Sequence, residues 1–319
     1  ILEIFEISKK QGIRSVDKIC HRMELGKDTY TLGKIRPEME EELCRVLADF
    51  VRIMEGYRVD DYRATASSAI SEASNSLYVL GKIHQLTGLS VTVLSNSEQR
   101  FLSYKALAAM EDNFNKIIEK GTAILDLDGG SFQISLFDKD ALVTTQNIRM
   151  GSLRIRERLA GIQSETEHYE EMVEELIWNE VSSFKKMYLK DRKIENIMLI
   201  GDVFTDSVYQ NIEEKTTKII SCENFNPWYE KIIRQSPMEL AVKLGIPLEN
   251  ASLMYPSAVI YKCLIDMMGA EHIWIPGVHM TRGIAYEYAE QMKLLKGGHN
   301  FENDILMAAK NIGKRYAVN

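Results

Sequence analysis

The chain has 319 residues, 45% of them apolar and 27% charged, with a net charge of −7. That length holds two domains with cores of their own, and the balance is that of a globular protein. The acidic surplus excludes a general nucleic-acid binder, which needs a dense basic surface, but leaves room for a local anion pocket built from backbone amides. No uncharged apolar run approaches the roughly 18 residues of a membrane span, and the first residues lack the basic-then-apolar order of a signal peptide. A cytoplasmic protein without membrane partners is therefore expected. The four cysteines, Cys20, Cys44, Cys222 and Cys263, lack the paired spacing of zinc or redox motifs and read as buried thiols.

In chain order, residues 2–7 read as a strand, 8–12 as a turn, 13–23 as a second strand and 25–33 as a polar loop. Pro37 opens a helix whose apolar residues Leu43, Val46, Leu47, Phe50 and Met54 fall three and four apart. A strand at 59–65, a helix at 67–86 closed by Gly88, and a buried strand at 91–94 follow. Ser95 and Glu98 have the spacing of a capping box, which opens a helix running towards Lys120.

The stretch from Ala123 to Phe137 is the centre of the chain. An apolar run carries Asp126, the turn Asp128-Gly129-Gly130-Ser131 follows, and Phe132, Ile134 and Leu136 alternate with Gln133 and Ser135. Glycines in such a turn let backbone N–H groups close around phosphate oxygens, and Asp126 at the strand end is suited to a hydrated Mg²⁺. A two-glycine hairpin with an exposed acid accounts for the same residues. Further strands are expected at 141–149, 196–201 and 272–275, and helices at about 165–190, after Pro227, at 257–268 and at 301–316. The expected domains are 1–118 and 119–300, with 301–319 as a terminal helix. Three strands precede the first helix of the second half and only two that of the first. If the halves are duplicates, the first strand of the first half is absent from this chain, which starts at Ile1 without a methionine.

This organisation resembles the α/β plan of actin, hexokinase and Hsp70: two actin-like (ribonuclease H-like) domains with a phosphate-binding cleft between them. Five segments resemble the Ppx/GppA family of exopolyphosphatases and guanosine pentaphosphate phosphohydrolases. They are residues 65–75, 94–99, 125–131 and 149–152, and the closing 273–276 to Arg282-Gly283. The resemblance implies removal of a terminal phosphate from polyphosphate or pppGpp by water, with a divalent metal and a carboxylate base. Phosphate-binding residues implied are Asp126, also as metal ligand, with Gly129, Gly130, Ser131, Gly151, Ser152, Gly201 and Arg282. Partners implied are polyphosphate or a guanosine nucleotide, and a homodimer is the assembly kept open.

Several positions depart from the family pattern. The acid expected after the buried strand falls on Gln99, and the one after the glycine turn on Gln133. A carboxamide orients water but cannot take its proton. Glu98 is the nearest substitute base, although the capping box already explains it. Arginines of the pattern fall on Ser71 and Thr281, with Arg282 next to the latter. In the turn Gly201-Asp202-Val203-Phe204, Asp202 is expected to repel phosphate and Phe204 to obstruct it. The expectation is a phosphatase fold with weakened or lost hydrolysis, or a non-hydrolysing binding or regulatory protein.

Overall fold

The computed structural model describes residues 1–110, 114–139, 141–160, 169–189, 192–201, 203–211 and 219–295, and positions 306, 309, 310 and 313. The described chain divides into two units, Ile1–Ala106 with Met280–Gly297, and Leu107–His279 with Gly298–Asn319.

In the first unit, β1 (Leu2–Ser8) and β2 (Gly12–Ile19) form an antiparallel hairpin whose register shifts between Ile4 and Phe5. The polar stretch that follows is a helix, α1 (Leu25–Leu32), and not a loop. Its buried face is Gly26, Asp28 and Thr29, so no apolar stripe announces it. Asp28 instead accepts from the Arg36 backbone N–H at 3.0 Å and pairs with the Arg36 guanidinium at 2.9 Å. Pro37 starts α2 (Pro37–Tyr57), where a missing N–H has no intrahelical partner to lose.

The expected strand at 59–65 shrinks to β3 (Ala64–Ala66), parallel to β4 (Val91–Val93). Between them the expected single helix is two, α3 (Ser68–Ser71) and α4 (Ser76–Thr87). Asn75 marks the break. Its side chain accepts from Ile35 N–H at 3.0 Å and donates to the Ile35 carbonyl and the buried Glu40 carboxylate, both at 2.8 Å. α5 (Asn96–Met110) follows.

The second unit starts with α6 (Phe114–Ile118), then β5 (Thr122–Leu127), β6 (Phe132–Asp138), β7 (Ala141–Ile148) and α7 (Ser152–Leu159). Next come α8 (Tyr169–Phe184), which ends in a π-helical turn Lys185–Leu189, then β8 (Asn196–Ile200) and α9 (Val203–Asn211). Beyond these lie β9 (Ile219–Ser221), α10 (Cys222–Ile233), α11 (Pro237–Leu244), α12 (Leu248–Met268) and β10 (His272–Trp274). The helix expected after Pro227 thus starts earlier, because the Ser221 hydroxyl accepts the Asn224 N–H at 3.2 Å and caps it. α13 (Met280–Gln291), which no sequence signal indicated, returns to the first unit and packs on β1 and β2. The helix expected at 301–316 falls almost wholly outside the described residues.

The large sheet has the order β7-β6-β5-β8-β10-β9. β5, β6 and β7 form an antiparallel meander, β5 pairs parallel with β8 and β8 with β10, and β9 adds an antiparallel edge. This is the meander-then-crossover order expected from the sequence. β5 and β6 are buried on both faces because helices cover the sheet. α12 is buried nearly all round, and its Tyr261 hydroxyl donates to the Ile200 carbonyl at the end of β8 at 3.0 Å. Among the thiols, Cys44 is buried, but Cys20 is exposed, contrary to expectation.

Candidate phosphate-binding site

Near the end of β5 a row of polar side chains crosses the sheet. Asp126 lies opposite Gln133 on β6, and Gln133 lies opposite Asn147 on β7. Opposed residues share a face, with Cβ atoms roughly 5 Å apart, so this row presents one carboxylate and two carboxamides side by side. Gln133 is buried, and the Asn147 side-chain oxygen is buried without a hydrogen-bond partner among the described residues.

The loop from β5 to β6, residues 128–131, joins the strands that carry Asp126 and Gln133. Asp128 N–H donates to the Ser131 carbonyl at 2.9 Å, and the exposed Asp128 carboxylate accepts the Gly129 N–H at 2.6 Å. The start of α7 grips the loop's carbonyls. Ser152 N–H donates to Asp128 O at 3.3 Å, Arg154 N–H to Gly129 O at 3.0 Å, and the Arg154 Nε–H to Gly130 O at 2.9 Å. The Gly130 and Ser131 N–H groups have no acceptor among the described residues, although both residues are buried. The Ser152 hydroxyl, 1% exposed, is likewise without a partner. Buried donors left this way cost stability unless something accepts from them, and oxygens of an anion would do so.

Backbone contact fixes the loop. A Cβ on Gly151 would lie 2.2 Å from Asp128 O and 2.4 Å from Gly129 C. Gly201 has φ +115°, and a Cβ there would lie 2.0 Å from Leu127 O. These two glycines let the start of α7 and the end of β8 press against the loop. Gly129 is less constrained, with Leu153 Cβ at 3.3 Å.

The structure therefore brings together Asp126, Gly129, Gly130, Ser131, Gln133, Gly151, Ser152 and Gly201 within the second unit. Glu98, Gln99 and Arg282 belong to the first. The Glu98 carboxylate accepts the Ser95 N–H and hydroxyl, both at 2.7 Å, which holds its pKa below the usual carboxylate range. Gln99 is engaged in the scaffold too, its amide donating to the Leu94 carbonyl at 3.2 Å. Arg282 lies half-buried in the first turn of α13, and Thr281 beside it donates to the Glu3 carboxylate at 2.5 Å. Phe204 does not obstruct the loop as expected: its side chain is fully buried against Phe225 and Tyr261, with ring centroids 5.9 and 5.4 Å away. Asp202 lies outside the described residues. Sequence reasoning missed Arg154 and Asn147, since an arginine in a helix and an asparagine near a strand end give no signal until the register is known.

Among the described residues no group of three or more His, Cys, Asp or Glu side chains is placed to hold a metal ion. A lone carboxylate in a polar row fits Mg²⁺, which keeps several waters and shares phosphate oxygens; it does not fit zinc, which takes three or four protein ligands.

A parallel strand pair flanked by a meander, with a glycine loop clamped by a helix start, defines an actin-like α/β protein. The sequence profile of the Ppx/GppA phosphatase family matches residues 4–292, and the chain belongs to that family. An exopolyphosphatase from Cytophaga hutchinsonii superposes with a TM-score of 0.79 at 16% identity, over 93% of this chain and 95% of that one. The Aquifex aeolicus Ppx/GppA family member gives 0.70 at 16% identity, over 91% and 94%. Both show the shared fold. The bifunctional 3-dehydroquinate synthase/phosphatase of Fusobacterium nucleatum is 21% identical over 283 residues. That match takes in 82% of this chain, which spans only 40% of that curated relative's length.

Proposed function

We propose that this chain binds the terminal phosphate of a polyphosphate or of a guanosine polyphosphate at the β5–β6 loop, and that its hydrolytic step is weakened or lost. The observation that carries this reading is the row Asp126, Gln133, Asn147 on the strands joined by the loop that holds the unpartnered N–H groups of Gly130 and Ser131. The N–H pair supplies donors for phosphoryl oxygens. Asp126 is the residue that would hold a hydrated Mg²⁺, which when bound would neutralise charge on the phosphate. Attack on phosphorus also requires water to lose a proton, and carboxamides at 133 and 147 orient water without accepting it. Glu98 and Gln99 are committed to capping and to a backbone carbonyl, which supports the same reading.

The test is phosphate release from polyphosphate and pppGpp with Mg²⁺, alongside calorimetry with the same ligands. Binding without appreciable turnover is expected, and Gln133→Glu with Gln99→Glu is expected to raise turnover at least tenfold. Turnover of the unaltered chain within tenfold of the doubly substituted one would overturn the loss of hydrolysis. Absence of heat with every ligand would overturn the binding reading.

A further inference from the structure

Asp128 puts an acid at the opening of the loop read above as a phosphate site. Residues 129, 130 and 131 behind it carry three successive backbone N–H groups. The first is already taken, because the Asp128 carboxylate itself accepts the Gly129 N–H at 2.6 Å. The Gly130 and Ser131 N–H groups are left without an acceptor among the described residues. So is the buried hydroxyl of Ser152, whose own N–H donates to the Asp128 carbonyl. Among the described residues no lysine, arginine or histidine pairs with the Asp128 carboxylate. Arg154, which is bonded to the same loop, directs its Nε–H to the Gly130 carbonyl instead. Asp126 stands two residues earlier, the spacing at which an extended chain puts two side chains on one face.

The two features pull in opposite directions. Buried N–H groups that face no acceptor favour an anion, and an unpaired carboxylate one residue away opposes it. An anion held by the two remaining N–H groups would carry its charge on the order of 5 Å from that carboxylate. At this separation one like charge weakens binding about fourfold at the dielectric of water and about 300-fold at an effective value of 20. A divalent cation that arrives with the anion reverses the sign, since the carboxylate then meets positive charge. Mg²⁺ is suited to that arrangement, being bound through one or two carboxylates together with phosphate oxygens.

We propose that Asp128 is a selectivity residue, through which the loop rejects a free phosphate anion and admits phosphate as its complex with a divalent cation. The ligand class is an oligophosphate end together with its cation, in preference to the same oligophosphate alone. This deepens the phosphate reading of the loop and rests on it. The role belongs to the charge of Asp128 and not to its hydrogen bond, because the Gly129 N–H needs only an oxygen, which a carboxamide also supplies.

The test is calorimetry of the full chain with tripolyphosphate, with Mg²⁺ in one arm and a chelator in the other, at about pH 8, well above the ordinary carboxylate range. Asp128→Asn keeps an acceptor for the Gly129 N–H and removes only the charge. It should raise the affinity in chelator at least about fourfold and shrink the gain that Mg²⁺ gives by the same factor. The advantage of Asp128→Asn in chelator should narrow between about 0.05 M and about 0.5 M salt, which the loss of a merely structural contact would not produce. Asp128→Gly also frees the Gly129 N–H and should raise the affinity in chelator at least as far, so the inference stays testable if the Asn variant does not fold. Affinities in chelator that stay within about twofold of the unaltered chain in both variants would overturn the inference, and so would an equal change with and without Mg²⁺. In either case binding of the unaltered chain with Mg²⁺ would leave the phosphate reading standing. Absence of heat from all three chains in both arms would overturn that reading, and this inference with it.

Discussion

Two glycines around the loop face different surroundings, which orders the consequences of replacing them. Gly151→Ala drives a methyl group into the Asp128 and Gly129 backbone, which has no flexible end to yield. A loss of about 2 kcal/mol or more is expected, read as a lowered urea midpoint with unchanged slope. Gly129→Ala meets only the Leu153 side chain at 3.3 Å and should cost less than about 1 kcal/mol. Arg154 acts differently. Its Nε–H holds the Gly130 carbonyl, and so sets where the Gly130-Ser131 amide faces. Arg154→Met keeps the aliphatic length and removes the donor. Phosphate affinity should fall about tenfold in calorimetry, while the thermal midpoint moves little beside the shift from Gly151→Ala.

Helix starts offer a second kind of test, because two of them carry the same device in different units. Ser95 with Glu98 and Ser236 with Glu239 are both reciprocal capping boxes, and both carboxyls are held below the ordinary carboxylate range by their serine's N–H and hydroxyl. A carboxylate lowered on folding stabilises the native state above its unfolded pKa, and that contribution fades as pH falls through the folded value. Glu98→Ala and Glu239→Ala should each flatten the acid side of the stability curve. Urea midpoints between pH 7 and pH 3 would show this as a smaller difference from the unaltered chain at the acid end. Both boxes are legible as S-x-x-E patterns, and so are the β5 and β6 strands, whose apolar runs are bounded by glycines. α1 was not legible, since Asp28 and Thr29 are buried by partners outside the helix, Arg36 beyond its end and Ala69 forty residues on. Nor was the break at Asn75, which exists because one side chain satisfies the Ile35 backbone. In the site, the glycines and Asp126 stood out by composition. The row through Gln133 and Asn147 appeared only with the register, and the burial of Phe204 only with α10 and α12 in place.

At the level of the whole chain, the two units differ in how they are assembled. The second has its six-stranded sheet and core in one continuous stretch, Leu107–His279. The first needs α13 from far along the chain: a Cβ on Gly283 would lie 2.0 Å from the Leu102 carbonyl, and Lys105 pairs with Glu290 at 2.8 Å. A fragment of residues 107–279 should therefore melt cooperatively with dispersed amide resonances, whereas residues 1–106 alone should not. Collapse of both fragments would show that the second unit's core is not self-sufficient.

The late arrival of α13 sets an order of events at the ribosome. About 190 residues separate Ala106 from the end of the segment that completes its unit, and at roughly 5–20 residues per second they take on the order of 10–40 s to synthesise. For that interval β1 and β2 have emerged without the helix that packs on them. The nascent polypeptide is thus in need of a chaperone at its first unit for as long as the second is being made.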